Sequence, residues 1–281
     1  MTSCKVARVF KEGPSGLPAG AADAADAGFS WVSIHFSKSK DALREIGPKE
    51  LSNLILSHLY WNYPQIAFLY IHTLLEKQND NGSFGNGSFG DIRDTARAAS
   101  CLFASFSILE ARAKGLDNKD ILAAHESAVS YLTSCKSHWG DAANDIYNTA
   151  YVLSALADAG VAQEDVCLAI CNNDNPNWRH PGTTALILTA LWKQKSLGQF
   201  GEKADTAVFE FISKKTNDLL FVRKDGYWSY PATSCLVLQA LLLCGQKSEA
   251  GQSLSWLLAA QNDNGSWEND LNTTALALLT L

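Results

Sequence analysis

The residues best suited to chemistry crowd into one short stretch, Asp91-Ile92-Arg93-Asp94-Thr95-Ala96-Arg97. Two carboxylates beside two guanidiniums can hold a proton and fix an anion at one place. On a helix Arg93 and Arg97 stand one turn apart on a single face. Arginine stays protonated at any working pH, so only Asp91 and Asp94 can exchange a proton here. The plainer account is that Asp91 or Asp94 caps a helix, as Asn148 and Thr273 would at matching places. In that account the arginines pair with Asp91, Asp94 or Asp145.

The elements that must position these groups are written as internal repeats. LLEKQNDNGSFG at 74–85 and LLAAQNDNGSWE at 257–268 are nearly identical, with weaker copies at 131–140, 172–178 and 224–228. Shortly after each copy a helix begins in the same way: DIRDTARAASCL, DIYNTAYVLSAL, HPGTTALILTAL, YPATSCLVLQAL and DLNTTALALLTL align without gaps. Gly and Asn supply the turns, and Asp, Asn and Thr oxygens suit the free N–H groups of a first helical turn. The helices that follow are apolar nearly all round and must be buried; the segments before the turns carry charge on one face and belong outside.

Inner helices are expected at 48–60, 94–113, 147–159, 182–195, 231–244 and 271–281, and outer ones near 62–77, 118–136, 163–171, 200–216 and 248–261. A sixth outer element would come from 29–46. The expected fold is all-α, a six-hairpin (α/α)6 barrel forming one domain over 29–281, after a flexible segment at 1–28. In such a barrel all inner starts converge on one opening. Asp145, Tyr147, Asn148, His180, Tyr230, Asp270 and Asn272 would then ring the same mouth as the Asp91–Arg97 cluster. His180 is the one base among them poised near neutrality, and its place before Pro181 also suits a simple helix start.

Cys167 and Cys171 lie four apart with His180 nine residues later, but a zinc site wants a fourth ligand, so core packing is the simpler reading and no metal or other cofactor is expected. Trp139, Trp178, Trp228 and Trp267 read as staples between helices. The duplicated NGSFG lengthens one turn beside DIRDTA into a candidate lid; without Lys it is no phosphate loop.

Composition narrows the partners. Of 281 residues 47% are apolar and 19% charged, with net charge −6 and no basic footprint, which argues against nucleic acid and acidic membrane surfaces. No apolar run approaches a membrane span, and the first residues lack a secretory pattern. Seven cysteines, an odd count, fit reduced thiols in the cytoplasm.

At Gln78–Phe84 and Gln261–Trp267 the pattern Q-x-x-x-G-x-W/F resembles the QW repeat of squalene–hopene-type cyclases. Over about residues 50–281 the chain resembles the α/α-toroid superfamily of terpenoid cyclases and protein prenyltransferases. Residues 91–96 resemble the D-x-D-D-T-A acid motif of class II terpene cyclases, with Arg93 standing where that family has its proton donor. The resemblance implies an enzyme that cyclises or isomerises a largely apolar small molecule by acid catalysis. Asp94 or Asp91 would be the acid, and Arg93 and Arg97 would hold an anionic group. No DDxxD run and no D-x-C zinc pair is present, and Cys244-Gly245-Gln246 does not match a thioester motif. A non-catalytic toroid binding a hydrophobic ligand or protein, and a tailoring enzyme acting on a peptide or polyketide, are the alternatives.

Overall fold

The computed structural model describes residues 19–37, 42–85, 91–112, 118–143, 145–173 and 175–281. Among them the chain is all-helical, and the only β-type pairings are the isolated bridges Gln78–Phe84 and Lys224–Tyr227, both inside turns. No helix is long and apolar enough to cross a membrane among these residues.

The six apolar helices fall within two residues of their expected bounds: α3 Pro48–Tyr60, α5 Ile92–Arg112, α8 Ile146–Asp158, α10 Pro181–Lys195, α12 Pro231–Leu243 and α14 Leu271–Thr280. Proline opens α3, α10 and α12, where its fixed φ suits a first turn and its missing N–H costs nothing. Their order of contact is α3 on α5, α5 on α8, α8 on α10, α10 on α12, α12 on α14, and α14 back on α3.

The amphipathic helices lie between them in sequence: α4 Pro64–Leu75, α6 Lys119–Ser134, α9 Glu164–Asn172, α11 Glu202–Phe221 and α13 Lys247–Ala259. Each packs against an apolar helix: α4 on α3, α6 on α5, α9 and α11 on α10, and α13 on α12. Two short helices, α2 Ala42–Glu45 and α7 Lys136–Trp139, fill connections.

The segment expected to supply a sixth outer element forms α1, Ala21–Ser37, which packs on α14. It starts ahead of the expected boundary at residue 28. Its AADAADAG start has good helix propensity, and Ala21, Ala24, Ala25 and Gly28 bury a small-residue face that lets the helices approach closely. Residues 1–18 of that segment lie outside the described residues.

The repeat has a specific hydrogen-bond grammar. After each turn aromatic, a hydroxyl from the first turn of the next inner helix meets that aromatic's backbone. Thr95 accepts from Phe84 N at 2.8 Å, Ser234 from Trp228 N at 3.0 Å and Thr274 from Trp267 N at 3.0 Å. Thr149 and Thr184 donate to the carbonyls of Trp139 and Trp178. The indole N–H groups of Trp139, Trp228 and Trp267 reach the other way, to Leu132 O, Leu219 O and Leu257 O at the ends of outer helices. One aromatic thus ties an outer helix to an inner one, and all its polar atoms are satisfied in the core.

The glutamines complete the clamp. Gln78 Nε2 donates to Gly82 O (3.0 Å) and Ala124 O (2.9 Å); Gln261 Nε2 donates to Gly265 O and Ala24 O (both 2.8 Å). Each holds its own turn closed and binds a neighbouring outer helix, α6 or α1. Gly82 and Gly265 have φ of +86° and +89°, and a Cβ at either would collide with the backbone of Ser127 or Ala27. Only glycine fits there.

Candidate functional site

The N-caps of the inner helices are the first residues of the aligned starts, three places ahead of the column holding Asn148 and Thr273. Asp145 accepts from Asn148 N at 3.1 Å, Asp270 from Thr273 N at 2.7 Å, and Asp91 from Asp94 N at 2.9 Å. His180 does the same for α10, its Nδ1 accepting from Gly182 N at 3.2 Å. Asn148 and Thr273 therefore present backbone N–H groups to the caps instead of acting as caps. A short side-chain acceptor at the cap reaches the free N–H two or three residues on, which fixes this register.

That register separates the two candidate acids. Asp91 is exposed and occupied as a cap. Asp94 is half-buried, and among the described residues no hydrogen bond or ion pair engages its carboxylate. Burial, then the neighbouring Asp91 charge, hold its pKa above the ordinary carboxylate value; Arg97 and Arg93 pull the other way, and Glu50 adds to the rise. Glu50 is the residue of α3 that matches Asp94, with Lys49 matching Arg93 and Asn53 matching Arg97. No Q-x-x-x-G-x-W turn precedes α3, so the repeat alignment leaves these three out, yet an N-cap at Gly47 puts them in the same columns.

Neither arginine lies within ion-pairing distance of a carboxylate among the described residues. Both lean on α8 through neutral groups. Arg93 Nε donates to Asn148 Oδ1 at 3.2 Å, with its guanidinium 5.6 Å from the Tyr147 ring centre. Arg97 Nη2 donates to the Tyr151 hydroxyl at 2.6 Å, with its guanidinium 4.2 Å from that ring centre. The expected pairing with Asp91, Asp94 or Asp145 is replaced by cation–π and amide contacts, which hold the cations in place without neutralising them.

The structure also places the remaining candidates. Tyr147 shares a hydrogen bond with Thr183 at 2.8 Å, and Asn272 accepts from Asn53 at 2.9 Å, so the first two turns of neighbouring helices are linked side by side. Tyr230 caps α12 with no side-chain hydrogen bond to the helix and stays 65% exposed. Cys167 is fully buried and its thiol is pushed up by burial, while His180 is spent on its cap. No group of three or more metal-ligating side chains occurs among the described residues. The second NGSFG, the candidate lid, spans 86–90 and lies outside the described residues.

One stripe of the inner helices keeps access to solvent while its flanks are sealed. Six residues after the caps, Asn53, Arg97, Tyr151, Leu186 and Leu236 are half-buried while Leu276 is buried; three residues further, Leu56, Ser100, Ser154, Thr189, Gln239 and Leu279 are half-buried. Neighbours such as Ala98, Val152, Ile187, Val237 and Ala277 are buried. The upper layer is polar on α3, α5 and α8 and leucine on α10, α12 and α14. Further along, Asp158 Oδ2 accepts from Lys193 Nζ and from Ser100 Oγ, both at 2.8 Å. The signal for this pair is legible in the repeats: Asp158 and Lys193 share a column with Ala104 and Leu243. No protein-family model matches the chain, and no curated protein matches it.

Proposed function

We propose that the chain is an (α/α)6 toroid that binds a largely apolar small molecule bearing an anionic group in its lumen and cyclises or isomerises it by acid catalysis, with Asp94 as the proton donor. The order of contact from α3 round to α3 is what a closed ring of inner helices requires. The half-buried stripe then faces the lumen, with the leucines of α10, α12 and α14 for the apolar body. Arg93 and Arg97 hold the anionic group, since two cations engaged only by neutral partners keep their field for a ligand.

The observation that carries this reading is the difference between the two carboxyls. Asp91 is occupied as a cap, whereas the Asp94 carboxyl caps nothing and is held toward its protonated form by burial. In the reaction the Asp94 O–H bond breaks as a C–H bond forms at a substrate alkene. The resulting carbocation rearranges, and loss of a proton from a neighbouring carbon restores the acid.

The test is turnover of a panel of isoprenoid phosphates and carboxylates followed by mass spectrometry. Asp94→Asn abolishes turnover while helicity and melting stay near wild type. Asp91→Ala lowers stability by about 1 kcal/mol through the lost cap and keeps turnover. Wild-type turnover in Asp94→Asn removes Asp94 from the chemistry.

A second reading, a non-catalytic binder of a hydrophobic ligand, is favoured by one observation. The caps Asp91, Asp145, His180 and Asp270 are all occupied structurally, leaving few groups at the mouth free to react. Native mass spectrometry of the purified protein, with a ligand carried but never altered, would mark this case.

A further inference from the structure

Away from the mouth, α1, α3 and α4 line an open cleft of about 620 Å³, in the range of small-molecule sites. Its floor is His58, a core residue only 3% exposed. His58 Nδ1 lies 2.7 Å from Leu54 O. A carbonyl only accepts, so the ring proton sits on Nδ1 and Nε2 of the neutral ring is a bare lone pair. Burial, against the bond to Leu54, lowers the His58 pKa to about 4 and keeps the ring neutral.

No described residue donates to Nε2. Nε2 is not sealed off: it keeps access to the cleft, where a donor on a ligand can take the place of solvent. Three rings box the imidazole in: Phe29 at 4.6 Å, Tyr70 at 5.1 Å and Tyr63 at 6.3 Å between centroids, all edge-to-face. The remaining lining sets Ser30, Ser33 and Asp26 beside apolar side chains, of which Ile34 and Leu69 are 58% and 57% exposed. Apolar side chains gathered in the open this way mark a binding surface.

We infer that this cavity is a binding site for a small neutral aromatic molecule carrying one hydroxyl, whose O–H donates to His58 Nε2 while its ring packs among Phe29, Tyr63 and Tyr70. An anion is disfavoured because the cavity offers a lone pair, and Asp26 at its rim, instead of a cation. A permanent cation would have to leave water with only the solvent-exposed Asp26 as counter-charge.

The experiment titrates the full chain with 4-ethylphenol, ethylbenzene and benzyltrimethylammonium, following the imidazole ¹⁵N resonances of His58 by NMR and affinity by calorimetry. 4-Ethylphenol binds at least tenfold more tightly than ethylbenzene and shifts the Nε2 resonance, with Nδ1 little changed. In His58→Phe the two bind within twofold of each other. The wild-type Nε2 shift tests the site even where that variant folds poorly. Equal binding of phenol and ethylbenzene, preference for the ammonium, an unmoved Nε2 resonance at saturation, or no binding of any probe overturns the assignment.

Discussion

Arg97 and Tyr151 meet twice: Nη2 donates to the phenol oxygen at 2.6 Å, and the guanidinium carbon lies 4.2 Å from the centre of the same ring. One tyrosine on α8 therefore fixes the position of a cation on α5 without offering it a negative charge. Tyr151→Phe keeps the ring and removes the acceptor, costing about 1–2 kcal/mol in urea unfolding. Tyr151→Leu costs about 0.5–1 kcal/mol more by removing the ring as well. A neutral Tyr151→Phe would show that another group holds Arg97.

Asp158 and Lys193 form an ion pair with side-chain exposures of only 5% and 12%. Replacing Lys193 by Met strands a buried carboxylate that retains only Ser100, and about 3–5 kcal/mol of stability is lost. Changing both, Asp158→Leu with Lys193→Met, recovers most of that loss because no uncompensated charge remains. Urea midpoints of the two single variants and the double variant decide it; additive losses would refute the coupling.

His58 gives the fold an acid limit. Its pKa is about 4 in the folded chain against 6.5 unfolded, so the unfolded state takes up the proton first as pH falls. Its contribution, about 3 kcal/mol, is complete above pH 6.5 and is lost as pH falls through 4. His125, lowered by burial, acts in the same direction. Asp94 acts oppositely: its raised pKa favours the fold at low pH and loses that benefit as pH rises through the folded value. Unfolding free energies between pH 7 and 4.5 should fall less steeply in His58→Phe than in wild type.

Gln261 Nε2 donates one N–H to Ala24 O of α1 and the other to Gly265 O of its own turn. Gln261→Glu replaces the donor with a carboxylate facing two carbonyls, and residues 21–32 should lose hydrogen-exchange protection before the rest of the protein. Gln78→Glu should loosen α6 near Ala124 instead. Uniform loss of protection in both variants would show that the clamps are not local.

How far the sequence could be read follows from what kind of signal each feature leaves. The inner helices were legible because a buried helix must be apolar all round, and their starts because the same turn chemistry recurs five times. Cap register is open in the sequence between Asp91 and Asp94, and at Asn148 and Thr273 the caps lie three residues earlier, at Asp145 and Asp270. Asp, Asn and Thr all suit capping, and only the backbone shows that Asp145 receives the N–H of Asn148. Glu50 escaped because α3 enters through Gly47-Pro48 with no repeat turn before it. The partners of Arg93 and Arg97 lie 55 and 54 residues away on α8, and nothing local encodes that choice.

Most bonds between elements join near neighbours in sequence, but three do not: Asn53 to Asn272, Trp61 Nε1 to Leu278 O and Gln261 to Ala24 span 219, 217 and 237 residues. Loop-closure entropy grows only logarithmically, so bringing these segments together costs about 1.4 kcal/mol more than closing a loop of about 45 residues. Three buried or half-buried hydrogen bonds and the α14–α3 contact outweigh that. The difficulty of the join is one of time, since it waits on a search across nearly the whole polymer. A domain-swapped dimer, in which α14 of one molecule meets α3 of another, would satisfy the same bonds. At high concentration during refolding, it is the competitor this architecture has to outrun.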